Sequence, residues 1–307
     1  MVKGTAGTSM ERIQGLTGRS ILMFTLFSIP KAFEGHIGTI QRNALASWRG
    51  LHPSLQIILL GNEIGVKQAA EDFGAHHEAE IRTNGFGTPL VSDAFARATQ
   101  LSRYDIVMFT NADMLFDQTL PRAVLNLERY DRFILSGQRC DLDVTNDLST
   151  LPPEGWAALF ASSGKNGHLH GPSAMDYFVF PKHLPIGMPD FAIGRVGWDA
   201  WVIWKCRRDR IPVVDATGSV TAIHQNHSYA SLRLGYQHWR GPERDLNLKM
   251  AGGHANLLTL REASHCLAGG VLIRPRGVRA ITSWLATWRL YHRTLALKRW
   301  VLERLHA

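Results

Sequence analysis

The chain reads as an α/β protein, with a mostly parallel central sheet flanked by helices and a C-terminal helical extension. Three observations predict this. Strand-like and helix-like segments alternate through the first half, the pattern of strands joined by crossover helices. The apolar run at residues 106–109, rich in β-branched and aromatic side chains, is too short for a helix and suits a buried strand. From Arg274 onward the chain turns to Trp, Leu and Arg at helical spacing.

The elements follow in order. Residues 21–29 read as the first strand, after a mobile Gly/Thr/Ser-rich start over residues 1–19. Pro30 stops that strand, and residues 33–48 continue at helical spacing through Ile37, Ile40, Ala44 and Trp48. A second strand at 56–60 is closed by Gly61-Asn62, a short helix at 66–73 by Gly74, and a third strand is expected at 79–81. Residues 90–101 read as a helix with Pro89 near its start, where a missing N–H is tolerated. The strand at 106–109 comes next, then a helix over 120–130 and a strand at 133–136. In the less regular second half, 149–153 and 162–172 read as turn-rich and 177–180 as a strand closed by Pro181. Residues 198–206 and 242–250 read as helices, and 213–215 and 220–223 as short strands. No linker appears before about residue 270, so one domain over 20–270 and a tail over 271–307 are expected.

At 307 residues the chain can bury a full core, and 45% hydrophobic with 20% charged residues is ordinary for a globular enzyme. Cys140, Cys206 and Cys266 are far apart and lack metal-ligand spacing, which argues for a reducing compartment and against a disulfide framework or zinc site. Asn226-His227-Ser228 matches the glycosylation sequon and reads as chance, since no secretory signal is recognised. No segment approaches the ~18 consecutive apolar residues of a membrane span. The net charge of +8 is localised: eight Arg or Lys from Arg274 onward stand against Glu303 alone, leaving the rest nearly neutral. A basic body would suggest nucleic acid. A basic tail on a neutral body suggests a localised anionic partner instead, and nucleic acid is not expected. On a helical wheel Trp284, Trp288, Tyr291, Leu295, Leu302 and Leu305 share one face, with Arg289, Arg293 and Arg304 opposite. That suits an anionic membrane surface; the plainer alternative packs the stripe on the core or on a second subunit. The expected location is cytoplasmic, with peripheral attachment to the cytoplasmic face of a membrane through this tail.

Candidate site residues fall at strand ends, where open α/β sheets bind ligands. Asn111-Ala112-Asp113 puts amide and carboxylate oxygens at the end of a buried strand. Mg²⁺ and Mn²⁺ take such oxygens, usually together with substrate phosphates. The plainer alternative is a strand followed by an Asx turn. Thr25, Phe27 and Ile29, before Pro30, offer a wall for a nucleobase, and Glu63 supplies a polar group after the second strand. Asn84 opens a Gly-rich loop over 84–89, whose backbone N–H groups and following helix make an anion site in principle. It lacks the Gly-Lys-Ser/Thr ending of a P-loop. Ser92 and Asp93 begin the next helix, Arg139 ends a strand where it can pair with phosphate, and Asp176 precedes another strand. Asp141, Asp143 and Asp147 read as solvated loop charges.

The order of these pieces resembles the GT-A class of nucleotide-sugar-dependent glycosyltransferases over about residues 20–230. In that class an Asp-x-Asp motif at a strand end holds a divalent cation bridging the donor diphosphate. The resemblance implies Asp113 as metal ligand, with Asn111 standing in for the first Asp. Gly197-Trp198-Asp199-Ala200-Trp201 looks like the Gly-Trp-Asp/Glu segment of inverting members, which makes Asp199 the base for the acceptor hydroxyl. Trp198 and Trp201 would raise its pKa and could stack on a sugar; the alternative is an ordinary helix N-terminus. In His224-Gln225-Asn226-His227 the resemblance implies a histidine completing the metal sphere, His224 first and His227 as alternate. Asp176 stands where the family contacts donor sugar or acceptor. The implied function is sugar transfer from a nucleotide-sugar to a glycan or lipid-linked acceptor, assisted by Mn²⁺ or Mg²⁺, with inversion. A retaining transferase, a sugar nucleotidyltransferase and a catalytically degenerate sugar- or nucleotide-binding protein are the alternatives. The second would want a Gly-rich run after the first strand, where Phe27-Ser28-Ile29-Pro30-Lys31 stands; Asn111 motivates the third.

Overall fold

The structure, a computed structural model, describes residues 12–14, 20–227 and 240–305. An antiparallel pair comes first, β1 (Arg12–Gln14) with β2 (Ser20–Leu22). The alternating half follows: β3 (Thr25–Ser28), α1 (Gly35–Leu51), β4 (Gln56–Leu60), α2 (Val66–Asp72), β5 (His76–Glu78), α3 (Val91–Leu101) and β6 (Ile106–Thr110). Next come β7 (Met114–Phe116), α4 (Thr119–Leu125), β8 (Ile134–Ser136), β9 (Cys140–Leu142), α5 (Pro153–Asn166), β10 (His168–Leu169) and β11 (Tyr177–Pro181). The chain continues through α6 (Trp198–Arg208), β12 (Val213–Asp215), β13 (Ala222–Gln225) and α7 (Pro242–Met250). Two single 3₁₀ turns lead to β14 (His265–Ala268), β15 (Val271–Ile273), α8 (Val278–Leu285) and α9 (Arg289–Leu305).

The main sheet runs β15-β14-β12-β8-β11-β6-β3-β4-β5. Its runs β14-β12-β8 and β6-β3-β4-β5 are parallel, while β11 lies antiparallel between β8 and β6, and β15 antiparallel at the edge. The expected mostly parallel α/β sheet is therefore present. Neighbouring residues on a strand face opposite ways. Leu26, Ile57, Leu59 and Met108 enter one core with Trp48 of α1 and Val124 of α4. Phe27, Ile58, Leu60, Val107 and Phe109 enter a second core with Phe95 of α3 and Val202 of α6. Both faces are covered, which is why these strands read as continuous apolar runs.

A smaller sheet, β10-β9-β13-β7, stands beside the main one. The chain crosses from the large sheet to the small one between β6 and β7, at Asn111-Ala112-Asp113. Because β11 is antiparallel to its neighbours, its N-terminal end lies at the same edge as the C-terminal ends of β6 and β8. The topology thus gathers residues 111–113, 137–139 and 176 at one edge.

Several elements differ from the sequence reading. The first strand divides: residues 20–22 pair with β1, and only Thr25–Ser28 enters the main sheet. The third strand sits earlier, at His76–Glu78. The stretch 153–166 is a helix rather than two turn-rich loops. Its Ser162 and Ser163 hydroxyls bond back to the Leu159 and Phe160 carbonyls, and Trp156, Leu159 and Phe160 pack on the core. The β14–β15 hairpin turns on Gly269-Gly270, both at positive φ (56° and 79°), and carries the main sheet past residue 270.

The tail forms two helices, with Trp284 on α8 and Tyr291 and Leu295 on α9. Tyr291 and Leu295 pack against the second core, and the Tyr291 hydroxyl donates to Glu262 Oε1 at 2.7 Å. Arg299 donates to the carbonyls of His254 and Leu257 at 2.9 and 2.7 Å. The single stripe expected from the wheel is therefore split: Trp284 and Trp288 are exposed while Tyr291 and Leu295 are docked. The side chains of Arg289, Leu302, Arg304 and Leu305 lie outside the described residues, as does Ser228 of the sequon. No helix among the described residues is long and apolar enough to cross a membrane.

Candidate active site

Asp113 is held by strand pairing on both sides. β13 runs antiparallel to β7, setting His224 opposite Met114, and the Gln225 N–H donates to the Asp113 carbonyl at 3.2 Å. Gln225 is fully buried: its amide donates to Ile40 O at 2.8 Å and accepts from Asn43 at 2.9 Å. Trp48 donates from its indole to Met114 O at 2.8 Å. α1 thus fixes both strands that present the site.

His227 Nε2 lies 3.2 Å and His224 Nε2 3.7 Å from the same oxygen of Asp113, Oδ2. One donor atom from each of Asp113, His224 and His227 falls within 4.8 Å of the others. Burial raises the Asp113 carboxyl, but the charges and hydrogen bonds of His224 and His227 outweigh it and hold it well below the usual carboxylate range. Burial lowers His224, but the charge and hydrogen bond of Asp113, with the charge of Asp176, together outweigh it and raise the imidazole. This field favours a carboxylate with positive charge beside it, whether imidazolium protons or a divalent cation. The other oxygen, Asp113 Oδ1, is buried and makes no hydrogen bond among the described residues. A buried carboxylate oxygen left without a donor is costly. Together with two converging imidazoles, it fits a cation with oxygen and nitrogen ligands.

A second group of charges adjoins this one. His224 Nδ1 stands 3.1 Å from Asp141 Oδ1, though not in hydrogen-bonding geometry. Asp141 also contacts His170 Nδ1 at 2.7 Å and accepts from Arg139 Nε at 2.8 Å. Arg139 donates to Asp176 Oδ2 at 2.8 Å, and the Asn111 side-chain amide donates to Asp176 Oδ1 at 2.5 Å. Asp199 lies in the first turn of α6, after Gly197 in the left-handed region (φ 112°). Burial pushes its carboxyl up to about 6, aided by the charge of Asp176 and opposed by the N–H groups of Ala200, Asp199 and Gly197. Lys31, just after β3, has its pKa lowered by burial of the ammonium and partly restored by the Asp113 charge. Asp113, His224, His227, Asp141, Asp176, Asp199 and Lys31 are thus linked by contact or by field.

Other residues singled out in the sequence go elsewhere. Thr25 begins β3, away from the ligand edge, and its fully buried hydroxyl donates to Gln56 Oε1 at 2.7 Å. Phe27 is wholly buried against Phe95 and Phe109, so it is core rather than a nucleobase wall. Ile29 remains partly buried just beyond the end of β3, and Glu63 is exposed after β4. Asn84 organises its own loop: its Oδ1 accepts from the Phe86 and Thr88 N–H groups, and its amide donates to Glu243 at 2.7 Å. The Gly87 N–H goes to Asn84 O, so the N–H groups of Phe86, Gly87 and Thr88 are all engaged within the loop. Ser92 bonds Asp190 at 2.5 Å, and Asp93 pairs with Arg82 and Arg97, which pins the start of α3. Trp198 meets Phe95, Phe109 and Phe178 edge-on, and Trp201 packs on Phe191 and Trp204. Both rings are core and neither is placed to stack on a sugar.

Three site residues escaped the sequence reading. Asp141, expected to be a solvated loop charge, has a side chain only 16% exposed that touches Arg139, His170 and His224. Asp143 and Asp147 do lie in loops, bonding Asn226 and Ser149. His170 gave no signal beyond its turn-rich surroundings. Lys31 had one: a basic residue directly after the first strand.

Comparison with known proteins gives no matching family model and no matching curated protein. Among solved structures, the chain is similar to glucosyl-3-phosphoglycerate synthase of Mycobacterium tuberculosis, at 15% identity over 75% of this chain and 80% of that one, with a TM-score of 0.46. It is also similar to a mannosyltransferase of Pyrobaculum calidifontis in complex with GDP-Man and Mn²⁺. That likeness has 13% identity over 90% of this chain and 74% of that one, with a TM-score of 0.45.

Proposed function

We propose that the chain is a nucleotide-sugar-dependent glycosyltransferase of GT-A type, transferring a sugar with inversion to a glycan or lipid-linked acceptor. The observation that carries this reading is the convergence of Asp113, His224 and His227 within 4.8 Å at the end of β6. Asp113, His224 and His227 would hold a divalent cation, Mn²⁺ or Mg²⁺, with Asn111 Oδ1 as a further oxygen donor. When bound, such an ion neutralises charge developing on a leaving diphosphate. Lys31 adds positive charge at the same edge. Asp199, with its carboxyl raised to about 6, is largely ionised near neutral pH and basic enough to take a proton from an acceptor hydroxyl. Arg139 and Asn111 hold Asp176 as a fixed acceptor for sugar hydroxyls.

The test is a thermal-shift panel of nucleotide-sugars with and without Mn²⁺, followed by transfer assays with any donor that binds. One donor should raise the melting temperature in a Mn²⁺-dependent way, and Asp113→Ala should remove that shift. A panel without any response would sink the reading. One observation favours a second: Lys31, after the first strand and in the field of Asp113, is where a sugar nucleotidyltransferase carries a basic residue. Consumption of a nucleoside triphosphate with a sugar 1-phosphate would establish that alternative.

A further inference from the structure

Among the described residues, the most basic stretch also carries most of the exposed large hydrophobic side chains. Residues 263–302 contain seven Arg or Lys and no Asp or Glu. Within this stretch Val271 and Ile273 of the edge strand β15 point outward, while Leu272 between them packs against the core. Val278, Ile281 and Trp284 then recur at helical spacing along α8, and Trp288 follows, with its ring centroid 4.4 Å from that of Trp284. Val278 is 77%, Ile281 57%, Trp284 55% and Trp288 47% exposed. The opposite side of α8 is occupied: Ser283 is buried, Thr282 donates to Arg261 O at 2.9 Å, and Arg279 pairs with buried Asp215. α8 is therefore firmly seated, with its apolar stripe turned out. Arg274 and Arg276, both exposed, lie between the two apolar groups in sequence, just before α8. An exposed apolar stripe seated on a firmly anchored helix and flanked by arginines commonly marks a binding surface.

Charge decides what. A second copy docking by the same face would bring two acid-free basic stretches together, since a two-fold interface opposes a patch to itself, and like charges disfavour it. Nucleic acid would match the arginines but leave the aliphatic residues and tryptophans without a role. An anionic bilayer satisfies both: its headgroups meet Arg274 and Arg276 while Trp284, Trp288, Val278 and Ile281 enter the interfacial layer. We propose that the outward stripe of α8 with Trp288, together with the preceding arginines, docks this protein on an anionic lipid bilayer. This face differs from the stripe the sequence suggested, since Tyr291 and Leu295 are used to hold α9 on the core. The proposal stands whether or not the transferase reading does.

The experiment is co-sedimentation of the full chain with vesicles of phosphatidylcholine alone and of phosphatidylcholine mixed with phosphatidylglycerol. Binding is expected to the mixed vesicles only and should weaken with added salt. Arg274→Ala with Arg276→Ala should weaken it roughly thirtyfold, at about one kcal/mol for each basic residue. Trp284→Ser with Trp288→Ser should weaken it on the order of tenfold or more. All four residues are exposed, so an unchanged melting temperature confirms that the variants fold. Equal binding to both vesicles, no binding to either, or unaltered binding by both double variants would overturn the proposal. So would a dimer that the tryptophan variant dissociates, or duplex DNA bound more tightly than the mixed vesicles at physiological salt.

Discussion

His224 and Asp141 stand side by side on parallel neighbouring strands, with the imidazole Nδ1 3.1 Å from the carboxylate. The other ring nitrogen, Nε2, lies 3.7 Å from Asp113, so Asp141 stands behind a proposed metal ligand, close enough to orient it although not aligned for a hydrogen bond. Outer carboxylates of this kind set the tautomer and direction of a ligating histidine. Asp141→Asn should therefore lower Mn²⁺ affinity by roughly ten- to a hundredfold while leaving the fold intact. Titration calorimetry with Mn²⁺ measures the first effect and circular dichroism the second. An unchanged affinity would make Asp141 a partner of Arg139 and His170 alone.

Cation binding should also appear in stability. A ligand held only by the folded state stabilises it by about 2.7 kcal/mol at a hundredfold excess over its dissociation constant. Mn²⁺ should raise the melting temperature by several degrees, and a chelator should reverse the rise. Replacing His224 or His227 by Ala should abolish it. A shift that survives both substitutions would move the ion elsewhere.

Asp199 has a sign that can be checked twice. Its carboxyl is raised from 3.8 to about 6 in the folded chain, so the folded state holds the proton more tightly than the unfolded state. Stability from this group is full below the unfolded value and is lost as pH rises through about 6. Asp199→Asn should thus be the more stable protein above pH ~7, by about 3 kcal/mol at most. Activity should run the other way: kcat/KM in the parent should climb as pH rises through about 6, and the variant should be inactive. A variant that gained stability and kept its rate would mark Asp199 as a strained residue without a catalytic role.

The tie between Arg279 and Asp215 anchors α8. Asp215 is 3% exposed and keeps the Thr217 hydroxyl and N–H when the guanidinium is removed. Because the arginine is itself about half exposed, the loss in Arg279→Ala should be moderate, roughly 1–3 kcal/mol by denaturant titration. Asp215→Ala should cost no less, because it also removes the acceptor of the Thr217 hydroxyl and N–H.

The core elements were legible because their signals are local. β4, β12 and α7 stand at the residues where apolar runs and flanking Gly, Pro and Asp residues put them. The strand before Asn111-Ala112-Asp113, and the acidic residues at strand ends, could be read for the same reason. Residues such as Thr25, Phe27 and Trp198 could not be assigned correctly. Whether a side chain near a strand end faces ligand or core depends on which helix covers it. α5 was hidden because serine and glycine resemble a turn until their hydroxyls are seen bonding back to the helix.

From the order of its residues alone, the chain specified an alternating α/β sheet buried on both faces, an acidic strand end and a basic tail. These follow from periodicity and composition within a few turns of backbone. Tertiary structure decided which distant groups meet: Asp113 with His227, 114 positions on, Asp141 with His224, and the outward turn of Trp284 against the inward turn of Tyr291. Such pairings depend on strand register and helix docking, which arise from packing over the whole domain rather than from neighbouring residues.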